Sequence, residues 1–356
     1  MYKAFHTHTF APQVIKAGLI LGLLFVISCT SNETDKAAEQ DERVIHLQQM
    51  ASFPGEEDEV FIGIPTNAAY SESAVFIPDQ ASSEVHHFDL KGNYMGQIGR
   101  RGRGPGELGL PGRASFHNSG LWVYDIGNAR YWRWSENEGA LETIQAPFIP
   151  RSFVVGDSFI FKTRLDQASS NAADEQSFIS RFDHEMNMID SFGKNISSLL
   201  PEVPAVGSAS QLALIDDELY VLFQNFPFLL VYSKDGQLIR EINFNQRYDE
   251  LATPNFSADA YSDPSHLRFR HIFQAFDVTN KGIFIAVKDE DNALTIDQHD
   301  HSGAFIRRFR IASENESAII IRDLKAGTDE WNNLLFYVFG FVDDEAAVHL
   351  FTPVMD

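Results

Sequence analysis

The sequence predicts an all-β protein folded as a six-bladed β-propeller. From about Arg43 onward, short strand-like runs alternate with turn signals, and one unit recurs about every fifty residues. The chain also holds 30 Phe and 10 Tyr against 6 Met, which favours strands because aromatic side chains pack well on a pleated surface. With 356 residues, of which 44% are hydrophobic and 22% charged, it is globular and has enough apolar side chains for a sizeable core.

The recurring unit is an apolar run that ends near an acid, a few polar residues, a second run with aromatics, a turn and a third run. Its five copies cover residues 74–99, 121–144, 157–193, 217–244 and 282–311. Aligned on their turns, at Asp89, Ser135, Asp183, Ser233 and Asp300, they are separated by 46, 48, 50 and 67 residues. The last step is long because residues 245–270 form an insertion with two prolines. A unit of about fifty residues with about four strands is typical of a propeller blade.

The blade count follows from the length of the repeating region. Residues 44–356, divided among six blades, give about 52 residues per blade. Apolar runs at 60–73 and 334–354 are left over, so we expect strands from both termini to share the closing blade. Closure matters because an open ring presents unpaired strand edges. A seven-bladed propeller, a large β-sandwich and a lipocalin-like barrel are the alternatives, although a sandwich does not explain the repeat.

Residues 1–28 are predicted to be a lipoprotein signal peptide. Lys3 and Lys16 precede the apolar run 17–28, which is too short for a bilayer core that takes roughly twenty helical residues. The run ends in VISC, which resembles a bacterial lipoprotein signal with Cys29 as the lipidated first residue of the mature chain. Cys29 is the single cysteine, so no disulfide forms within the chain. An ordinary secretory signal or an uncleaved anchor is the alternative.

Residues 29–43 are predicted to be a flexible acidic tether, because they carry five acids and no aromatic residue. The propeller then occupies residues 44–356. No Asp follows Cys29, which resembles an outer-membrane lipoprotein, on the periplasmic face or at the cell surface. The acidic stretch itself is either a surface-export signal or a plain spacer.

The charge balance limits the partners. The formal net charge is −22, and it becomes −24 when a signal carrying Lys3 and Lys16 is removed. This balance argues against nucleic acid as a partner. The membrane, through the lipid anchor, and an envelope protein or glycan are the partners we expect.

A family resemblance is visible in residues 60–108. They resemble the bacterial six-bladed β-propeller lipoproteins related to the NHL-repeat group, whose first blade ends in a phrase of the form G-x-G-x-G-P-G-E followed by an aromatic residue. The matching positions are Gly102, Gly104, Pro105, Gly106 and Glu107. Leu108 stands where the family usually has the aromatic. The resemblance implies the fold and an envelope location more than an activity.

The glycine-rich stretch, residues 96–113, allows two interpretations. It lacks the Gly-Lys of a P-loop, and no amphipathic helix follows it, so a nucleotide site is excluded. Its glycines supply positive φ and close backbone approach where the chain crosses between blades. Alternatively, it binds an anion or carboxylate through forked arginine donors. The candidate ligand-binding residues are Arg100, Arg101, Arg103 and Glu107.

The catalytic alternative is a metal-dependent hydrolase or lyase with its site in the central channel. Three acids lie near comparable blade positions and four histidines lie in strands and turns: Asp79, Asp125, Asp217, His86, His87, His299 and His301. Acids at strand ends are common caps, and the two adjacent histidines point to opposite faces of a strand. No nucleophile signature is present. The sequence names no cofactor.

The aromatic stretch 128–134 alternates Tyr131 and Arg133 with Trp132 and Trp134. We expect one face to pack between blades, and aromatics at a rim to stack on a sugar. Together these features predict a lipid-anchored envelope propeller that acts as a binding or scaffolding module with an unknown ligand. A structural subunit of an outer-membrane complex is a further alternative.

Overall fold

A computed structural model describes residues 44–55, 60–118, 120–135, 137–164, 177–194, 196–200, 209–252, 271–288, 294–311, 320–342 and 345–354. The signal peptide, Cys29 and the acidic tether lie outside these residues, as does most of the insertion. In the described part of the chain, no helix is long and apolar enough to cross a membrane. The first strand is β1 (Val44–Phe53).

The next sixteen strands form four separate four-stranded antiparallel sheets, which are the first four blades. In each blade the strands follow one another in space as they do in sequence. Their bounds are β2 (Ala69–Tyr70), β3 (Ala74–Asp79), β4 (Glu84–Asp89), β5 (Tyr94–Ile98); β6 (Pro111–His117), β7 (Gly120–Asp125), β8 (Arg130–Ser135), β9 (Gly139–Gln145); β10 (Pro150–Val155), β11 (Ile160–Arg164), β12 (Ile179–Phe182), β13 (Met188–Phe192); and β14 (Ser210–Ile215), β15 (Glu218–Phe223), β16 (Phe228–Ser233), β17 (Leu238–Asn243). Each predicted copy of the repeat corresponds to the second, third and fourth strands of a blade.

The last two blades form one eight-stranded sheet in the order β18-β19-β20-β21-β1-β24-β23-β22. Its new strands are β18 (Phe273–Thr279), β19 (Gly282–Lys288), β20 (Leu294–His299), β21 (Phe305–Ile311), β22 (Ile320–Thr328), β23 (Leu334–Val342) and β24 (Glu345–Pro353). Strand β1 pairs antiparallel with β24 as the outermost strand of the sixth blade, and its first four residues pair parallel with β21. The predicted six blades and the closing blade shared between the termini are thus confirmed.

One detail of the closure was wrong. Strand β1, and not residues 60–73, is the N-terminal contribution to the closing blade. β1 was missed because an outermost strand has mostly solvent-exposed residues, and only Leu47 and Phe53 of β1 are fully buried. The apolar run that we preferred leads into β2, the innermost strand of the first blade.

The helices are short. Helix α1 (Ile196–Leu199) follows the third blade, and helix α2 (Asn245–Ala252) begins the insertion after the fourth. Tyr248 of α2 is buried, and its hydroxyl donates to Asp297 at 2.8 Å and contacts His299 at 2.9 Å. Asp297 is also paired with Arg247 and Arg308. This network fastens α2 to the fifth blade.

The core consists of apolar clusters of the described residues, one at each of the six interfaces between neighbouring blades. Alternate residues of a strand serve opposite interfaces. Trp132 packs between the first and second blades, and Tyr131 packs between the second and third. Both faces of the aromatic stretch 128–134 therefore take part in blade packing, where we had expected one.

The recurring turn joins the third and fourth strands of a blade. The Asp89 carboxylate accepts hydrogen bonds from the amides of Lys91 and Asn93, both at 2.9 Å. Asp300 does the same for Ser302 and Ala304. Such side-chain to backbone bonds define an Asx turn, which explains why an acid recurs at this point of the repeat.

Candidate functional site

The glycine-rich stretch forms the crossover between the first and second blades. The Glu107 carboxylate accepts hydrogen bonds from the amides of Gly104 at 2.7 Å and Arg103 at 2.9 Å, and from Arg100 Nε at 3.1 Å. These donors, with the Gly104 amide first, lower the pKa of Glu107. Gly99 has φ +80°, and a Cβ there would lie 2.8 Å from Leu108 Cδ1. The glycine here is therefore required by the backbone conformation and by the close packing of Leu108.

Both flanking blades hold this crossover. Arg101 donates to the Ala81 carbonyl at 2.8 Å and to Ser83 Oγ at 3.2 Å. Arg130 of β8 donates to the carbonyls of Arg103 at 3.0 Å and Glu107 at 2.8 Å. These contacts support the architectural interpretation.

The same contacts occupy most of the predicted ligand-binding groups. Arg100, Arg101 and Glu107 bond within the crossover or to the first blade. The Arg103 side chain is exposed and makes no hydrogen bond or ion pair with the described residues. Anion binding by Arg100, Arg101, Arg103 and Glu107 stays a prediction.

The candidate metal ligands do not come together. His86 lies with its Nε2 3.7 Å from Asp79 Oδ2, and His87 stacks on Phe76 with ring centroids 4.7 Å apart. His299 and His301 contact tyrosine hydroxyls in the fifth blade region. Within the described residues, no group of three His, Cys, Asp or Glu side chains has the arrangement to hold a metal ion.

The three acids of the metal hypothesis have different surroundings. Asp79 and Asp125 are buried at the ends of β3 and β7, where each accepts hydrogen bonds from backbone amides of the preceding crossover. Asp217 is not at a comparable position, because it lies in the turn before β15, is exposed and bonds Lys234 at 2.7 Å. The predicted equivalence of these acids is therefore wrong.

The central channel forms a cavity with a volume of about 690 Å³. Residues of the innermost strands of all six blades line it, namely β2, β6, β10, β14, β18 and β22. Each inner strand begins where the chain arrives from the previous blade. The end of the channel at which the inner strands begin is called the crossover end. The opposite end, at the first turn of each blade, is the turn end.

Most polar groups of the channel wall link neighbouring blades. The Asn67 side chain bonds both the amide and the carbonyl of Ala114 at 2.9 Å. Gln211 donates to the Gln274 carbonyl at 3.1 Å, and Asp277 accepts from the Ala326 amide at 2.9 Å. These bonds link neighbouring blades around the axis of the ring.

Two arginines of the wall, and a third beside it, lack such links. Arg113, Arg151 and Arg322 stand at the second or third position of β6, β10 and β22. Among the described residues, none of the three makes an ion pair or a side-chain hydrogen bond. Burial lowers the pKa of Arg113, and the positive charges of Arg151 and Arg322 add to this effect. These three residues are called the channel arginines below.

The charge near the channel arginines is incompletely balanced. Burial raises the pKa of Asp323 to about 6, against the opposing effect of Arg113. Lys325 and Asp277 neutralise each other at 3.2 Å. At the turn end the wall is acidic, with Asp157, Asp216 and Asp217.

Sequence reasoning missed the channel arginines. Arg113 precedes Ala-Ser-Phe and Arg151 precedes Ser-Phe-Val, so an arginine occurs at nearly the same point in two successive blades. The third is more than two hundred residues from the first, and the repeat alone does not mark it. A comparison of corresponding inner-strand positions would have found the first two.

A second, smaller cavity of about 440 Å³ lies between the first two blades. Trp132 and Trp134 line it together with His87 and glycines of the glycine-rich stretch. Trp132 Nε1 is buried without a hydrogen-bond partner in the described part of the chain. Trp134 is half-buried, so the aromatics do reach a cavity wall as the sugar-stacking interpretation requires.

Comparisons with known proteins agree with this architecture. A family model described as a 6-bladed beta-propeller matches residues 56–194, which contain the first three blades. The fold is a six-bladed β-propeller. No curated protein matches the chain.

Two solved structures are similar in fold. A Bacteroides fragilis protein described as exported has 12% sequence identity and a TM-score of 0.56, over 88% of this chain and 100% of its own. A catalytically inactive virginiamycin B lyase from Staphylococcus aureus with quinupristin has 11% identity and a TM-score of 0.52, over 86% of this chain and 99% of its own. At these identities the likeness is one of fold alone.

Proposed function

We propose that this protein is a lipid-anchored binding module of the bacterial cell envelope that holds its ligand in the central channel. The observation that carries this proposal is the channel of about 690 Å³ lined by all six inner strands. Ligand sites in proteins are concave, mostly preformed and of about 300–1,000 Å³. The inter-blade hydrogen bonds of Asn67, Gln211 and Asp277 make the wall rigid, which lowers the entropy cost of binding.

The envelope location rests on the sequence. The apolar run 17–28 followed by Cys29 has the form of a lipoprotein signal, and two-chain lipid attachment gives stable membrane anchoring. The similar Bacteroides fragilis protein is described as exported, which agrees with this location. The strands begin at Val44, so the segment from Cys29 serves as the tether.

A glycan at the smaller cavity is a second candidate. The half-buried Trp134 provides a stacking surface of the kind that sugars use, at a cavity that the buried Trp132 also lines. If a glycan binds there, Trp134→Ala should abolish its capture and a channel variant should not.

The channel proposal is tested by recovering the ligand. The protein is purified from its own envelope without denaturation, and bound molecules are identified by native mass spectrometry. Ala213 is half-buried, lines the channel and also contacts the core between the fourth and fifth blades, so Ala213→Trp should narrow the channel and remove the bound molecule. The matched control is Met188→Trp, at an exposed position on an outermost strand.

The outcome is decisive when both variants keep the wild-type circular dichroism spectrum and melting temperature. A molecule present in the wild type and the control, and lost in Ala213→Trp, supports the proposal. A molecule retained in Ala213→Trp contradicts a channel site, as does a wild-type protein that carries no bound molecule.

A further inference from the structure

We propose that the ligand of the channel is a small oxyanion, carrying carboxylate or phosphate groups, and that Arg113, Arg151 and Arg322 bind it. This inference rests on the proposed channel site and adds the chemical class of its occupant. In the described part of the chain, none of the three side chains makes one of the inter-blade hydrogen bonds around the axis. Arg113 interacts electrostatically with Asp323, and the Arg322 guanidinium lies 5.9 Å from the ring centroid of Phe341.

The topology places the three arginines at one end of the channel. All six inner strands run in the same direction, from the crossover end to the turn end, because every blade has the same strand order. Arg113 and Arg322 are the third residues of their strands, and Arg151 is the second. They therefore lie at similar depths near the crossover end, on the second, third and sixth blades.

The arginines are available to a ligand. Arg113 and Arg322 line the cavity, and all three side chains keep partial exposure. Of the other ionic groups here, Lys325 is paired with Asp277 and Asp323 accepts a hydrogen bond from the Leu324 amide at 2.9 Å. Like charges gathered in a confined site are costly without a counter-ion, and an anion removes that cost.

The charge balance indicates how many anionic groups fit. The charges that remain after the Lys325–Asp277 pair is set aside are three guanidinium groups and the Asp323 carboxylate. The site therefore has an excess of two positive charges when Asp323 is ionised, in a chain whose net charge is −22. A ligand with two or more negative groups neutralises this excess.

The chemistry of the donors selects oxyanions. A guanidinium presents planar, forked N–H donors that match a carboxylate or a phosphate with two parallel hydrogen bonds. The cavity of about 690 Å³ is far larger than an inorganic ion, and Phe153 and Leu212 are among its lining residues. An organic body that carries the anionic groups suits this combination.

The two ends of the channel differ in charge. At the turn end, Asp157 and Asp217 are bonded to His117 and Lys234, respectively. Asp216 is the remaining acid of the three and disfavours an anion, whereas the arginines attract it at the crossover end. We therefore expect the oxyanion to enter from the crossover face and to stop at the channel arginines.

Isothermal titration calorimetry on the full-length lipoprotein in detergent tests the inference, with citrate, inorganic phosphate and glycerol as probes. We expect citrate or phosphate to bind saturably, and glycerol not to bind. If citrate binds more tightly, the natural group is a carboxylate, and if phosphate binds more tightly, it is a phosphate. Arg322→Gln and Arg151→Gln should each weaken the better probe about tenfold to a hundredfold, because each removes a charge-assisted hydrogen bond.

Lys91→Gln is the matched control, since it removes one positive charge from an exposed turn. Arg103→Gln tests the glycine-rich stretch, and Arg322→Lys tests the forked geometry, which lysine lacks. Each variant is compared with the wild type by circular dichroism and melting temperature, and only folded variants are used. Arg113 is left unchanged because its positive charge lowers the pKa of the Asp323 carboxyl, and its loss would change the charge of that group as well.

Several results would overturn the inference. The inference is wrong if neither citrate nor phosphate binds. It is also wrong if Arg322→Gln binds the better probe as tightly as the wild type does, or if only Arg103→Gln loses binding. A neutral molecule that is recovered from the wild type and lost in Ala213→Trp, with no oxyanion bound, would overturn the oxyanion class and leave the channel proposal intact. If the wild type binds no oxyanion and also carries no molecule in the channel, both the oxyanion inference and the channel proposal are wrong.

Discussion

A buried lysine between the second and third blades offers a direct test of the energetics of this fold. Lys162 of β11 is 0% exposed. Its Nζ lies 3.8 Å from the ring centroid of Phe182, 4.5 Å from that of Phe148 and 5.1 Å from that of Tyr131. The nearest polar partner is Met186 Sδ at 3.7 Å, and Lys162 makes no ion pair with the described residues. A charged ammonium thus has aromatic faces and a thioether in place of water.

Burial lowers the pKa of Lys162 to about 7. The unfolded chain keeps its lysine protonated up to a pKa of about 10.4, so the unfolded state binds more protons between pH 7 and 10. The free energy of unfolding therefore rises with pH across this window and levels off above it. A shift of about 3.5 units at 1.36 kcal/mol each sets an upper limit of about 5 kcal/mol for the destabilisation below pH 7.

The aromatic rings offset part of this cost. A cation over an aromatic face gains about 0.5–2 kcal/mol, so the three rings together recover about 3 kcal/mol. We therefore expect Lys162→Met, which keeps the length of the side chain and removes the charge, to raise the free energy of unfolding by about 2 kcal/mol at pH 7. The gain should shrink as the pH rises and should be small near pH 10.5, where the native amine is neutral and the unfolded one is about half protonated.

Urea unfolding of the full chain, followed by circular dichroism from pH 6 to pH 10.5, measures this difference. Lys91→Met at an exposed turn is the control and should change stability little at any pH. If Lys162→Met is less stable than the wild type at pH 7, the cation–π contacts outweigh the burial cost and the reasoning fails. It also fails if the difference between the two proteins is independent of pH.

Three further predictions concern the anchor, the crossover and the channel. Cys29→Ala should release the protein from membranes in fractionation, and retention in the membrane pellet would contradict lipid anchoring. Gly99→Val should lower the free energy of unfolding by about 2 kcal/mol or more, because φ is +80° and a Cβ would meet the buried Leu108. Gly327→Ala is the control and should cost under about 1 kcal/mol by urea unfolding, because its Cβ would have only an ordinary contact with Tyr337 at 3.9 Å. Asp323 has a pKa of about 6 and is ionised above it, so Asp323→Asn should bind citrate more tightly than the wild type at pH 8 by calorimetry. Both proteins meet the same citrate species at each pH, so the difference between their affinities reports Asp323 and should shrink as the pH falls through 6. A difference that is independent of pH would remove Asp323 from the site.

The repeat made most of the fold predictable, because its features depend on local chemistry. The acids at Asp89 and Asp300 bond amides two and four residues ahead, so the turn leaves a mark within five residues of sequence. The glycine-rich stretch is likewise local, since the Glu107 carboxylate closes a loop whose donors are at most seven residues away. Such local patterns can be recognised in a single sequence, because all the residues that take part lie close together along the chain. They identified the blades and the crossover correctly.

The channel was not predictable by the same means, because its residues meet only after the ring has closed. Arg113 and Arg322 belong to different blades, and each stands alone among the residues beside it in sequence. Strand β1 was hidden for a related reason: its partners, β21 and β24, lie at the other end of the chain. Its alternation is weak because eight of its ten residues are exposed or half-buried, so its sequence resembles an ordinary polar segment.

The pairing of β1 connects these two observations. Because β1 pairs with both β21 and β24, it joins the fifth and sixth blades into a single sheet. The sixth blade carries Arg322 and Asp323, and the Ala68 amide of the first blade contributes a hydrogen bond to Asp323 across the closure. The position of Arg322 relative to Arg113 therefore depends on a strand that follows directly after the predicted tether. Loosening β1 would separate the charges that define the oxyanion site before it disturbed the other five blades, so ligand binding should be lost at lower denaturant concentration than blade structure.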